Sequence, residues 1–186
     1  KMLQEKNPME LHGYSQSLGI PSVREKVAAS LNRRFQMDYT GDHIFMTTGA
    51  AGAIAHALRC VSQPGDEILT FAPYFPEYTP YVNLTGARLK VVPADTDGFQ
   101  INFEAFDEML TEKVAAVLIN TPNNPSGMVY STQTMKKLAE IMEEKQKKYG
   151  HDIFLISDEP YREIVFEGVD SPYPSAFYDN SLSWYS

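Results

Sequence analysis

Cysteine is nearly missing from this sequence: Cys60 is the only one among 186 residues. A lone thiol excludes an internal disulfide framework and any metal site built on several cysteines. Histidine is sparse too, and His12, His43, His56 and His151 stand at no spacing that would let them share a metal, so none is expected. Basic residues are in deficit, with 16 Lys and Arg against 24 Asp and Glu and a formal net charge of −8. That balance argues against a nucleic-acid backbone or an anionic membrane surface as the main partner. No apolar run approaches the roughly 20 residues of a membrane-spanning helix. The first residues, 1–8, are too polar for a secretory signal, so a reducing, cytoplasmic location is the expectation. Gly-x-Gly-x-x-Gly, the Walker loop and Gly-x-Ser-x-Gly are all absent, which weakens dinucleotide, nucleotide-triphosphate and serine-hydrolase readings.

What the chain does have is alternation. Ser22 to Glu25 reads as a capping box ahead of an amphipathic helix over 23–36, carried by Val27, Ala28, Leu31 and Phe35. A short β-type run over 44–48 ends at Gly49, and Ile54, Ala55, Leu58 and Val61 mark the face of a second helix. Strands are predicted over 67–72 and 89–93, with a helix between them in 74–85 that Pro80 bends or shortens. The run over 114–120 (VAAVLIN) is almost wholly apolar, as in a parallel strand buried on both faces. A long helix over 132–149 and a strand over 153–157 follow, the strand delivering Asp158 at its carboxyl end. Strand–helix alternation of this kind predicts an α/β fold: three layers, with a mostly parallel sheet flanked by helices. Ligands in such sheets bind beyond the carboxyl ends of the strands, which directs attention to four segments.

The small residues Gly49-Ala50-Ala51-Gly52 open a helix whose first N–H groups suit a phosphate, or else simply pack closely on a sheet. Two prolines stiffen Asn120-Thr121-Pro122-Asn123-Asn124-Pro125-Ser126-Gly127, so an amide side chain can be held at a fixed angle. Asp158 surfaces from a buried strand, partly desolvated and in want of a cationic partner. Glu159 points to the opposite face, so the two carboxylates cannot work as an acid/base pair. Tyr161 offers a phenol to a nearby oxygen anion, and Tyr74 a ring that could stack on a flat ligand. Together they describe one ligand: a phosphorylated aromatic ring with a basic nitrogen and a phenolate-like oxygen, features that pyridoxal 5′-phosphate combines.

These segments, in this order and spacing, closely resemble the class I/II aminotransferases, pyridoxal-phosphate enzymes of fold type I, over nearly the whole chain. The resemblance implies backbone phosphate contacts at Ala50 and Ala51, stacking by Tyr74, and Asn124 and Tyr161 on the ring oxygen. It assigns Asp158 to the pyridine nitrogen, which makes Asp158 and Tyr161 the candidate catalytic residues. Tyr14 resembles the tyrosine that reaches the cofactor phosphate of a neighbouring subunit, which implies a homodimer with shared active sites. Amino acids and 2-oxo acids would be the substrates. Ser186 would be a phosphate-binding serine, with the Schiff-base lysine shortly beyond it and the substrate-carboxylate arginine further on. Residues 1–186 are accordingly expected to form one partial cofactor-binding large domain, with an N-terminal arm and a C-terminal small domain outside it. Carbon–sulfur β-lyases of the same fold, and cofactor-sensing domains of transcription regulators, share these motifs.

Overall fold

A computed structural model describes residues 5, 7–14, 16–95, 98–166 and 168–185. The chain divides into two compact units, residues 1–47 and 48–186.

In the first unit, α1 (Pro8–His12) is capped by Asn7, whose side chain accepts from the Met9 N–H at 2.9 Å. The next helix, α2 (Pro21–Phe35), has Ile20 at its N-cap and no side-chain cap bond. The expected Ser22 capping box therefore does not form. Pro21 lacks the N–H that a cap would satisfy and has its φ preset, so it opens the helix ahead of Ser22. Arg24 is buried and donates to the Gly41 carbonyl at 2.8 Å. Asn32 brackets the Tyr39 backbone, donating to its carbonyl and accepting from its N–H, both at 2.8 Å. The strand expected over 44–48 is absent: after a 3-10 turn at Gly41–His43 the chain is extended at Ile44 but joins no ladder. Met46 makes one backbone bond there, to Leu18 O at 3.3 Å, and local β propensity without a neighbouring strand builds no sheet.

The second unit is a five-stranded, all-parallel sheet between two helical layers. Its strands are β1 (Glu67–Phe71), β2 (Arg88–Val92), β3 (Val114–Asn120), β4 (Phe154–Asp158) and β5 (Ser181–Trp184), in spatial order β2-β1-β3-β4-β5. Each central strand alternates between two cores. Leu69, Val117, Ile119 and Leu155 face one way, toward Phe106 of α5 (Phe103–Met109) and Met135, Leu138 and Met142 of α6 (Thr132–Tyr149). Ile68, Ala116, Leu118 and Ile156 face the other way, toward Ile54 and Leu58 of α3 (Gly49–Val61) and Tyr78 and Val82 of α4 (Tyr78–Asn83). Burial on both sides explains why the central strands read as unbroken apolar runs. Pro80 does shorten α4, which spans only its six residues within the expected 74–85.

The helix α5 lies in a stretch for which the sequence pattern predicts no element. Asn102 caps it through the Ala105 N–H at 3.1 Å, and Phe103, Phe106 and Leu110 repeat at helical spacing, a signal short enough to overlook. At the far end of α6, Gly150 takes the left-handed conformation (φ +73°) and its N–H closes on Gln146 O, which stops the helix where the periodicity ends. Chain order matters most between β1 and β3. From β1 the chain crosses outward to β2 through α4 on one face, then returns through α5 on the other face to place β3 beside β1. Direction reverses there, and in open α/β sheets the carboxyl ends of strands that lead opposite ways are where ligands bind.

Candidate active site

Register sets the floor of the site. Asn120, the last residue of β3, pairs with Asp158 of β4, and Asp158 pairs with Trp184 of β5, so three polar side chains form a row across the carboxyl edge. Asn120 Nδ2 donates to the Asp158 carbonyl at 2.8 Å, and Asn120 Oδ1 accepts from the Asn124 N–H at 2.6 Å. One buried amide thus ties the strand edge to the proline-rich loop. Asn123 anchors the same loop on its other side: Nδ2 donates to Pro73 O at 3.3 Å, and Oδ1 accepts from Ser126 N–H and Oγ–H at 3.1 and 2.7 Å. The expected stiffness is therefore a hydrogen-bonded fact, and it joins the ends of β1 and β3.

Asn124 turns toward the loop that follows β4. Its Nδ2 donates to the Tyr161 hydroxyl at 3.1 Å, so an amide and a phenol converge from two different loops. Tyr161 comes from the turn after β4, which Glu159 and Arg162 staple. Arg162 Nε and Nη2 both reach Glu159 Oε2, while Nη1 and Nη2 donate to the Ser171 and Pro172 carbonyls at 2.9 and 3.0 Å. Burial pushes the Glu159 carboxyl above its ordinary range and the Arg162 charge pulls it back. As expected, Glu159 takes no part on the Asp158 face.

Asp158 is 5 % exposed. Among the described residues no basic side chain forms an ion pair with it; two neutral donors hold it instead. Tyr78 Oη donates to Oδ2 at 2.5 Å and Trp184 Nε1 to Oδ1 at 2.8 Å. Burial raises the carboxyl above the usual carboxylate range, and the two hydrogen bonds oppose that rise. Burial, then the neighbouring Asp158 charge, drives the Tyr78 phenol far above its ordinary value, so it stays a proton donor. Neither Tyr78 nor Trp184 stands out in the sequence: Tyr78 is one of three tyrosines within 74–81, and Trp184 closes a four-residue strand.

Tyr74 is half-buried beyond β1, its hydroxyl 3.3 Å from Thr79 Oγ1. Ala50 and Ala51 open α3, where Thr48 makes no side-chain cap bond and no acidic residue occupies the first turn. Gly49 sits at φ +72°, and no heavy atom lies within 4 Å of where its Cβ would be, leaving the helix mouth uncrowded. Tyr14 belongs to the first unit, where its ring is exposed; Ser186 lies outside the described residues. The second unit thus brings together Asp158, Asn124 and Tyr161, and it also carries Tyr74 beyond β1 and Ala50 and Ala51 at the start of α3. Among the described residues no group of His, Cys, Asp or Glu could hold a metal ion.

The second unit therefore carries a desolvated carboxylate held by neutral donors, a converging amide and phenol, and a helix N-terminus without an acidic side chain. The chain matches the family model "Aminotransferase class I and II" over residues 1–182 and belongs to that family, whose members depend on pyridoxal 5′-phosphate. It is 32 % identical over 154 residues to an aspartate aminotransferase of Thermotoga maritima, and 31 % identical over 156 residues to an aspartate/prephenate aminotransferase of Thermus thermophilus. Those matches cover 82 % and 83 % of this chain and 39 % of each relative. An amino transferase of Eubacterium rectale superposes with a TM-score of 0.95 at 44 % identity, over 100 % of this chain and 47 % of that one. The N-succinyldiaminopimelate aminotransferase of Mycobacterium tuberculosis gives 0.84 at 29 % identity, over 95 % and 46 %. The chain spans about two fifths of the length of the curated relatives it matches.

Proposed function

We propose that this chain is the cofactor-binding part of a pyridoxal 5′-phosphate-dependent aminotransferase that moves an amino group between an amino acid and a 2-oxo acid. The observation that carries the reading is the buried Asp158 carboxylate, oriented by two neutral donors and beside no basic partner among the described residues. When bound, the cofactor supplies a ring that draws electrons from the α-carbon of an amino acid. Asp158 would keep a proton on the ring nitrogen by holding a negative charge against it in a water-poor site. Asn124 and Tyr161 would present an amide N–H and a phenol O–H to the ring oxygen. Tyr74 would supply an aromatic surface to the ring, and the first N–H groups of α3, at Ala50 and Ala51, would hold the phosphate with the positive end of the helix dipole.

Residues 1–186 are read as part of the large domain. Ser186 is read as a further phosphate contact, and Tyr14 as a contact to the phosphate of a second copy, in a cytoplasmic homodimer. Among the described residues no helix is long and apolar enough to cross a membrane. The relatives named above are aminotransferases, and nothing in the site favours a carbon–sulfur β-lyase or a regulator's sensing domain. In the complete protein, Asp158→Ala should abolish transamination of any active amino acid while the circular dichroism spectrum is retained. Wild-type-like turnover in that variant would sink the assignment.

A further inference from the structure

Both oxygens of Asp158 are engaged from different elements, Oδ2 by Tyr78 of α4 and Oδ1 by Trp184 of β5. Both rings are buried, at 0 % and 8 % exposure, so neither hydroxyl nor indole N–H has water as an alternative partner. An ionised carboxylate offers about four lone-pair sites, so two donors fix its plane and still leave a site on each oxygen. The identity of the donors is informative. A buried carboxylate kept only for stability is ordinarily neutralised, as Glu159 is by Arg162 in the adjoining turn. Neutral donors stabilise the anion without cancelling its charge.

We propose that Tyr78 and Trp184 are positioning residues that hold Asp158 as an oriented anion whose whole charge remains available to a cationic ring. The inference rests on the reading of Asp158 as partner of the ring nitrogen. The groups facing Asp158 that could also titrate are few. From α4 the phenols of Tyr78 and Tyr81 feel its charge, and Tyr161 interacts with Tyr78. The neighbouring strands contribute Asn120 and Trp184, which do not titrate, and on α3 His56, Arg59 and Cys60 are exposed. A pH-dependent step in binding that is lost with the Asp158 carboxyl is therefore its own.

Without either donor the carboxylate would hold its proton to higher pH. A ring cation that needs the anion would then have to expel that proton before binding. In the apo form of the complete protein, the affinity for pyridoxamine 5′-phosphate should weaken on the acid side of a break set by Asp158. In Tyr78→Phe and in Trp184→Phe the break should move up by about one pH unit or more. Affinity just below the new break should then fall roughly tenfold or more, with little change well above it; this corresponds to losing one hydrogen bond to a charged group. Asp158→Asn is the control in which the break disappears.

A uniform loss of affinity with the break unmoved would mark both side chains as packing residues and overturn the proposal. A break at the wild-type position that survives in Asp158→Asn, separate from the ionisation of the ligand's own phosphate at about pH 6, would instead overturn the reading of Asp158 on which the proposal rests, so the two failures are distinguishable. Should Tyr78→Phe show no cooperative melting, Trp184→Phe carries the same test on the other oxygen.

Discussion

Glu159 and Asp158 are adjacent carboxylates buried at the end of one strand, and the side chain opposite each decides its role. Glu159 has 0 % side-chain exposure and Arg162 4 %, so their charges are taken out of water together. Removing one partner of such a pair strands the other. Arg162→Met should therefore destabilise the protein by about 3–5 kcal/mol. The double variant Glu159→Gln/Arg162→Met should recover most of that, because it leaves no unpaired charge. Chemical denaturation of the three proteins checks this; a double variant no more stable than the single one would show that the Arg162 bonds to Ser171 and Pro172 dominate. Asp158 is different because its partners are neutral, and its sequence context gave only half of that. A carboxylate at the end of an apolar strand was legible as a desolvated group. Its donors were not, since Tyr78 lies 80 positions away and Trp184 26, and only the strand order brings them together.

At the level of elements, α3 differs from the other long helix of its unit at the N-terminus. Ser131 caps α6 through the Thr134 N–H at 3.1 Å, whereas Thr48 makes no such bond and the first turn of α3 is Gly and Ala. An acidic residue near a helix N-terminus ordinarily adds about 0.3–1 kcal/mol. Ala51→Asp should thus stabilise α3, yet repel a phosphate seeking the same dipole and N–H groups. The two effects have opposite signs, so melting of the apo form should rise while affinity for pyridoxamine 5′-phosphate falls. A rise in both would argue that the phosphate lies elsewhere. The elements themselves were legible to differing degrees. The strands of 114–120 and 153–157 and the helix of 132–149 were readable because burial on both faces, or a long periodic stripe, writes a strong pattern. The segment 44–48 carried β-type residues without a strand to pair with, and Ser22 lost the cap because Pro21 started the helix ahead of it. In both cases the deciding interaction, a ladder partner or a neighbouring φ, lay outside the residues that suggested the element.

For the whole molecule, the burial of Asp158 makes its carboxyl a lever on stability. Burial raises Asp158, so the folded state of the apo protein holds its proton to higher pH than the unfolded chain does. Between the unfolded value, near 3.8, and the raised folded one, the folded state binds more protons, and stability falls as pH rises through that window. Below the window both states are protonated and Asp158 contributes no pH dependence; above it the full cost of the buried anion is present. Asp158→Asn removes this single contribution while the many surface carboxylates titrate alike in both proteins. Its amide can still accept from Trp184 and donate to the Tyr78 oxygen, so the site stays hydrogen-bonded. The stability of Asp158→Asn relative to wild type should accordingly be smallest in strong acid, climb through the window and then level off, as read from urea midpoints across pH on the apo proteins. Saturating the wild type with pyridoxamine 5′-phosphate should shrink that advantage at neutral pH, because the ring cation compensates the charge that burial penalises. An advantage of Asp158→Asn that stays flat with pH would mean the carboxylate is already compensated in the apo fold, and that Asp158 holds no charge in reserve for a ligand.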